Sequence, residues 1–137
     1  MVIDTSALLA ILQDEPERRS FNEAIEAAEA RALSSASYLE TAIILESRYG
    51  AEGVRDLDHF IAVAQFVLEP VTAEQARLAR EAWRQYGTAR HPDGLTFGDT
   101  FAYALSRTLG QPLLFKDPAF VRTDVECHPA SRPALAQ

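Results

Sequence analysis

Short apolar runs alternate with long segments of helical periodicity, and this alternation sets the architecture before any other property is considered. Val2-Ile3 is a β-branched pair that ends at Asp4, and residues 33–36, 66–71 and 112–116 are the other strand-like runs. Between them the apolar positions recur three and four apart. That spacing predicts helices over residues 5–13, 16–30, 37–49, 52–65, 72–86 and 97–109, with Gly50, Gly87 and Gly110 as stops. Residues 88–95 read as a Pro/Gly loop, residues 117–120 as a short turn, and residues 124–127 as a final edge strand. Strands separated by helices pair in parallel and carry helices on both faces. The expected fold is therefore a three-layer α/β/α sandwich around a central, mainly parallel sheet of four or five strands. Residues 1–128 make one domain, and the tail over 129–137, with two prolines and little to bury, is expected to fray.

Composition narrows the function classes. With 137 residues the chain is long enough for one real core. A single cysteine, Cys127, excludes an intrachain disulfide framework and a Cys-rich zinc site. The N-terminal segment lacks the basic start of a signal peptide, and no apolar run approaches the ~20 residues of a membrane span, so a cytoplasmic protein with no membrane partner is expected. The formal net charge of −7 argues against a general nucleic-acid binder. The charge is uneven, however. Residues 1–69 hold five Arg against thirteen acids, whereas residues 76–116 hold six basic residues against three acids. Twelve of the thirteen cations are Arg, whose fork suits carboxylate and phosphate. The basic stretch is either a solvated helix face or a local basic strip on an acidic protein.

Four acids stand at equivalent places. Asp4 and Asp117 follow strands, while Glu40 and Asp99 fall in the first turns of predicted helices. In a parallel sheet the carboxyl ends of the strands share one edge, and ligands bind there. Capping accounts for any one of these acids: Ser37 with Glu40, Thr96 with Asp99 and Thr72 with Gln75 read as capping boxes, and Asp117 precedes a proline at the first helical position. Capping does not account for their company. Glu40 and Asp99 lie in nearly apolar stretches, and no Lys or Arg is within four residues of Asp4, Glu40 or Asp99. Clustered unpaired carboxylates repel one another, and a hard divalent cation such as Mg²⁺ or Mn²⁺ resolves that. Metal-assisted phosphoryl transfer to water is the chemistry such a site suits.

At this point the residues resemble a known family. Met1-Val2-Ile3-Asp4-Thr5-Ser6-Ala7-Leu8, Ser37-Tyr38-Leu39-Glu40, the run from Gly94 through Asp99 to Leu105, and Leu113-Leu114-Phe115-Lys116 with Phe120 and Thr123-Asp124 are similar to the motifs of PIN-domain ribonucleases, specifically the VapC-type toxins of type II toxin–antitoxin pairs. The resemblance spans nearly the whole chain. It implies a PIN-like fold and a Mg²⁺-dependent endoribonuclease that cuts transfer or ribosomal RNA and stops translation. It also implies a homodimer, and a cognate VapB-type antitoxin that joins it in a hetero-oligomer. Asp4, Glu40 and Asp99 match the family's first three catalytic acids; Asp4 and Asp99 would bind metal, with Glu40 as a further ligand. Thr5 and Ser6 would support them. The fourth acid departs from the pattern. Relatives read Lys-Gly-x-Asp-Phe, and here Ala119 precedes Phe120. Either Asp117 substitutes from a shifted position, which is the preferred reading, or the fourth acid is lost; Asp124 is a weaker supporting candidate.

The remaining candidates are less specific. Arg84, Arg90 and Lys116 could flank the cleft and hold RNA phosphates. His59, His91 and His128 have no metal-ligand spacing, Trp83 sits at core spacing, and Cys127 reads as inert. Aspartyl-phosphate phosphatases need a second acid two residues after the first, where this chain has Ser6. A receiver domain needs an acceptor Asp at the end of its middle strand, which residues 68–71 do not offer. The surviving alternative to the nuclease is a catalytically degenerate PIN domain acting only as an interaction partner.

Overall fold

The computed structural model describes residues 1–131. Its elements follow the predicted order: β1 (Val2–Ile3), α1 (Thr5–Leu12), α2 (Arg18–Ala27), β2 (Ala32–Ser34), α3 (Ser35–Tyr49), α4 (Ala51–Ala64), β3 (Val67–Glu69), α5 (Ala73–Tyr86), α6 (Phe97–Leu109), β4 (Leu113–Leu114) and a 3₁₀ turn over Pro118–Arg122. The four strands form one parallel sheet in the order β3-β2-β1-β4. Among the described residues, no helix is long and apolar enough to cross a membrane.

Neighbouring strand residues point to opposite faces, and each face has its own core. Ile3, Leu33 and Leu114 pack with Leu8, Phe21, Ile25, Leu45 and Leu57 from α1 to α4. Val2, Ala32 and Leu113 pack with Ala82 of α5, Ala102 and Leu105 of α6, and Phe115 and Phe120. This is the expected three-layer sandwich. Strands of two or three residues suffice because burial on both faces, rather than strand length, holds them. In the α3–α4 hairpin, Gly53 is required by close approach: a Cβ there would sit 2.7 Å from the Leu45 carbonyl oxygen.

Several boundaries move from the sequence-based expectation. The second helix shortens to Arg18–Ala27, and the strand run at 33–36 gives up Ser35 and Ala36 to α3. The reason lies in tandem serines. Ser34, not Ser37, caps α3 by accepting from the Ala36 amide, which pushes Glu40 from the first turn to the second. The predicted Ser37–Glu40 capping box therefore does not form, and Ser37 Oγ is buried without a hydrogen-bond partner. The expected edge strand at 124–127 reduces to a single bridge, Leu113 to Cys127. The tail expected to fray from residue 129 is held at its start: Ser131 is fully buried and donates to the Leu113 carbonyl while accepting from the Phe115 amide. The rest of that tail lies outside the described residues.

Candidate active site

β1 delivers Asp4 to the carboxyl edge of the sheet, where it caps α1. Its Oδ2 accepts from the Ser6 amide at 2.9 Å and from Ser6 Oγ at 2.6 Å. Its Oδ1 is buried with no hydrogen-bond partner, in a residue only 1% exposed. Ser6 Oγ also accepts from the amides of Lys116 at 2.9 Å and Asp117 at 3.1 Å. One hydroxyl thus joins the end of β1 to the loop after β4. Thr5 has a different task. Its hydroxyl donates to the Ser37 carbonyl and lies 3.1 Å from Thr41 Oγ1, which ties α1 to the helix that carries Glu40.

Asp99 completes the Thr96 capping box read from the sequence: the Thr96 amide donates to Asp99 Oδ2 at 2.9 Å, and the Asp99 amide donates to Thr96 Oγ1 at 3.3 Å. Asp117 caps the 3₁₀ turn by accepting from the Ala119 amide at 2.9 Å. Each of the three aspartates is therefore a cap, and each cap engages one carboxylate oxygen. Capping and a ligand-binding role do not compete, because a carboxylate has two oxygens. Glu40 reaches the same region from α3. Its carboxylate lies so close to Gly98 that any β-carbon on Gly98 would overlap it. It rests on the first turn of α6, whose free N–H groups favour an anion.

The electrostatics agree with this proximity. Burial first, then the nearby charges of Asp117 and Glu40, push the Asp4 carboxyl up to about 7 against the opposing Ser6 hydrogen bonds. Burial, followed by Asp4 and Asp117, raises Asp99 to about 8. The four predicted acids thus share one edge. They do not form a finished cage, since among the described residues no three acid or imidazole groups stand close enough to hold a metal ion as they are. An orphaned buried carboxylate oxygen amid further carboxylates is nevertheless the donor set a hard divalent cation takes.

Other candidates fall elsewhere. Lys116 turns away from the edge into ion pairs with Glu15 at 2.5 Å and Glu17 at 3.1 Å, so its charge is already matched. Asp124 lies over the second half of α6. Despite partial burial, the Tyr103 hydroxyl and Arg107 hold its carboxyl below the usual range. It is a structural partner of α6. The His128 imidazole accepts from the Ala130 amide. Arg84 and Arg90 do meet, in an open cleft of about 480 Å³ that also takes in Tyr86, His91 and Arg122. Arg122 is absent from the sequence-based set; its only signal there is a lone cation shortly after Asp117. Gly98 is absent as well, because only the fold shows that it seats Glu40. Trp83 is half-buried, and it borders an apolar groove with Ala76, Ala79, Phe97 and Phe101.

Comparison with known proteins places these features. The profile of the PIN domain family matches residues 1–126. A Ribonuclease VapC from Mycolicibacterium smegmatis is 54% identical over 125 residues, covering 91% of this chain and 97% of its own length. The crystal structure of Mycobacterium tuberculosis VapC20, described as a toxin that cleaves the sarcin–ricin loop, has a TM-score of 0.70 at 20% identity and covers 90% of this chain and 95% of its own. A toxin–antitoxin complex from Klebsiella pneumoniae contains a chain with a TM-score of 0.68 at 17% identity, covering 93% and 96%. A parallel four-stranded sheet with acids gathered at its carboxyl edge, a family match over almost the whole described chain and a VapC relative identical at more than half of the aligned positions make one statement: this chain belongs to the PIN-domain family and, within it, to the VapC ribonucleases.

Proposed function

We propose that the chain is a Mg²⁺-dependent endoribonuclease toxin that hydrolyses phosphodiester bonds of transfer or ribosomal RNA and so inhibits translation in the cytoplasm. The observation that carries the metal-dependent chemistry is the buried, unpartnered Oδ1 of Asp4 beside the charges of Glu40 and Asp117, with Asp99 next to it. Asp4, Asp99 and Asp117 would hold the ion, with Glu40 as a further ligand; Mn²⁺ would also fit this oxygen set. When bound, the cation supplies charge neutralisation at the phosphate and a more acidic water.

The protein's own residues account for the rest. Ser6 fixes Asp4 through Oδ2, which leaves Oδ1 as the unpartnered oxygen. Thr96 fixes Asp99 in the same way. The raised carboxyl groups of Asp4 and Asp99 in the metal-free protein mark the repulsion that a bound cation would relieve. The test uses purified protein, end-labelled total transfer and ribosomal RNA, and Mg²⁺ with or without chelator. Cleavage should require the cation, and Asp4→Asn should reduce it at least a hundredfold while its circular dichroism spectrum stays that of the folded wild type. Wild-type protein that cuts no RNA with Mg²⁺ or Mn²⁺ sinks the reading.

The partners belong to the same proposal. The likeness to a chain of the Klebsiella pneumoniae toxin–antitoxin complex supports a VapB-type antitoxin as neutralising partner. A homodimer is supported by the apolar groove between α5 and α6, where Phe97 is 73% exposed and stacked edge-on against Phe101.

A further inference from the structure

We infer that the cleft formed by Arg84, Arg90 and Arg122 is a binding site for the sugar–phosphate backbone of single-stranded RNA, next to the acid edge and separate from it. This inference rests on the ribonuclease reading and names how the substrate strand is held beyond its reacting bond.

Three arginines from three separate segments converge here: α5, the 87–95 loop and the 3₁₀ turn. All three are exposed. Among the described residues, no carboxylate lines this cleft. One salt bridge among them touches it, Arg122 to Asp93, at 3.9 Å with the Asp93 side chain 85% exposed. An exposed pair at that distance contributes almost nothing, so an incoming phosphate displaces Asp93 easily. Arg18, Arg19, Arg107 and Lys116, by contrast, each have a carboxylate within 3.2 Å. Gathering three like charges without close counter-ions costs energy in the free protein, and a polyanion returns it. Guanidinium forks engage phosphate oxygens two at a time.

The position argues for RNA over another polyanion. Arg122 closes the same 3₁₀ turn that Asp117 opens, a run of five residues or roughly 10 Å at ~2 Å per residue. At the other side, the loop that carries Arg90 runs into Thr96, the cap of the helix that carries Asp99. The cleft is thus bounded by the two segments that bear half of the acid set. A nucleic acid strand suits both regions at once, with its reacting phosphodiester at the acids and its neighbouring phosphates on arginine. An acidic peptide brings no phosphodiester to the acid edge. Arg80 continues the basic surface along α5, with Glu81 as the one carboxylate of that extension.

The test measures binding apart from cleavage. A fluorescein-labelled single-stranded oligoribonucleotide is titrated with the full chain carrying Asp4→Asn, with and without Arg84→Gln, Arg90→Gln and Arg122→Gln, and with Arg19→Gln as a distant control. Each cleft substitution should weaken binding about three- to tenfold, and the triple variant by about fiftyfold or more. The slope of log affinity against log salt should shrink by about 0.7 for each lost phosphate contact. Arg19→Gln should change nothing, and melting temperatures should match throughout. Binding by the triple variant within twofold of its parent overturns the inference, as does failure of the parent to bind RNA at low salt. Arginine-dependent binding of polyglutamate that is tighter than binding of RNA also overturns it, and assigns the cleft to an acidic protein. A parallel assay on the chain with Asp4 intact separates the two readings. Cleavage with arginine-independent binding leaves the ribonuclease and removes the cleft. Arginine-dependent RNA binding without cleavage removes the nuclease and leaves the cleft.

Discussion

At the scale of single residues, each aspartate of the edge commits one carboxylate oxygen to a cap, and the proposed function gives the other to the ion. Asp117 shows how to separate the purposes. Its Oδ1 accepts from the Ala119 amide, and an asparagine at a cap does this about as well as an aspartate. Asp117→Asn should therefore hold the urea midpoint near wild type, while Asp117→Ala loses about 1 kcal/mol. If the acid works from this shifted position, both substitutions should slow RNA cleavage at least tenfold. An Asn variant that cleaves at the wild-type rate reduces Asp117 to a cap. Much at this scale is legible directly in the chain. Thr96 with Asp99, and Asp117 ahead of Pro118, are contacts within a few residues, and local chemistry predicts them. Lys116 is not legible in that way, because the two glutamates that bind it lie about a hundred positions away.

At the scale of elements, the same division explains which boundaries moved. Three serines within residues 34–37 offer competing caps, and Ser34, the last residue of β2, is the one used, a choice that follows the strand pairing and not a local pattern. That choice moves Glu40 one turn along and lets it reach α6. Two glycines then make a contrasting pair. At Gly53 a new β-carbon meets the Leu45 backbone at 2.7 Å, and backbone cannot step aside. At Gly98 the three nearest atoms it meets belong to the carboxylate tip of Glu40, which can swing away. Gly53→Ala should cost about 1–3 kcal/mol in chemical denaturation. Gly98→Ala should leave stability within about 1 kcal/mol, because alanine also favours the helix, yet lower cleavage at least tenfold by expelling Glu40. Full activity in Gly98→Ala would show that Glu40 need not rest on α6. The α5–α6 groove makes a further prediction. If the proposed homodimer forms through this groove, light scattering should find the wild type dimeric and Phe97→Asp monomeric; a monomeric wild type removes the homodimer, and a dimeric variant places the contact elsewhere.

For the molecule as a whole, the acid edge is a liability in the metal-free state. Asp4 and Asp99 have folded-state values of about 7 and about 8 against 3.8 when free, so the folded chain binds more protons than the unfolded chain between roughly pH 4 and 8. Their contribution to stability is fully present below pH 4 and is lost as pH rises through 7 to 8. Without divalent cations, the melting temperature should fall between pH 5 and pH 8. Mg²⁺ should restore it at pH 8 in the wild type but not in Asp4→Asn, whose own decline with pH should be shallower. A flat profile, or equal rescue of both proteins, would show that the edge neither carries this charge strain nor takes the ion. The charge total of −7 is therefore compatible with an RNA-cutting protein, since part of it is concentrated at the site and the cations face the neighbouring cleft.

The bond from the Lys116 and Asp117 amides to Ser6 has a consequence in time. It spans 110 and 111 positions, so the hydroxyl that orients Asp4 receives its second set of partners only when most of the chain has been made. A ribosome building this protein holds, until late in synthesis, a chain whose first acid is present but whose site is unassembled. The order in which the strands of its sheet are produced thus leaves the acid edge incomplete until β4 and the loop after it exist.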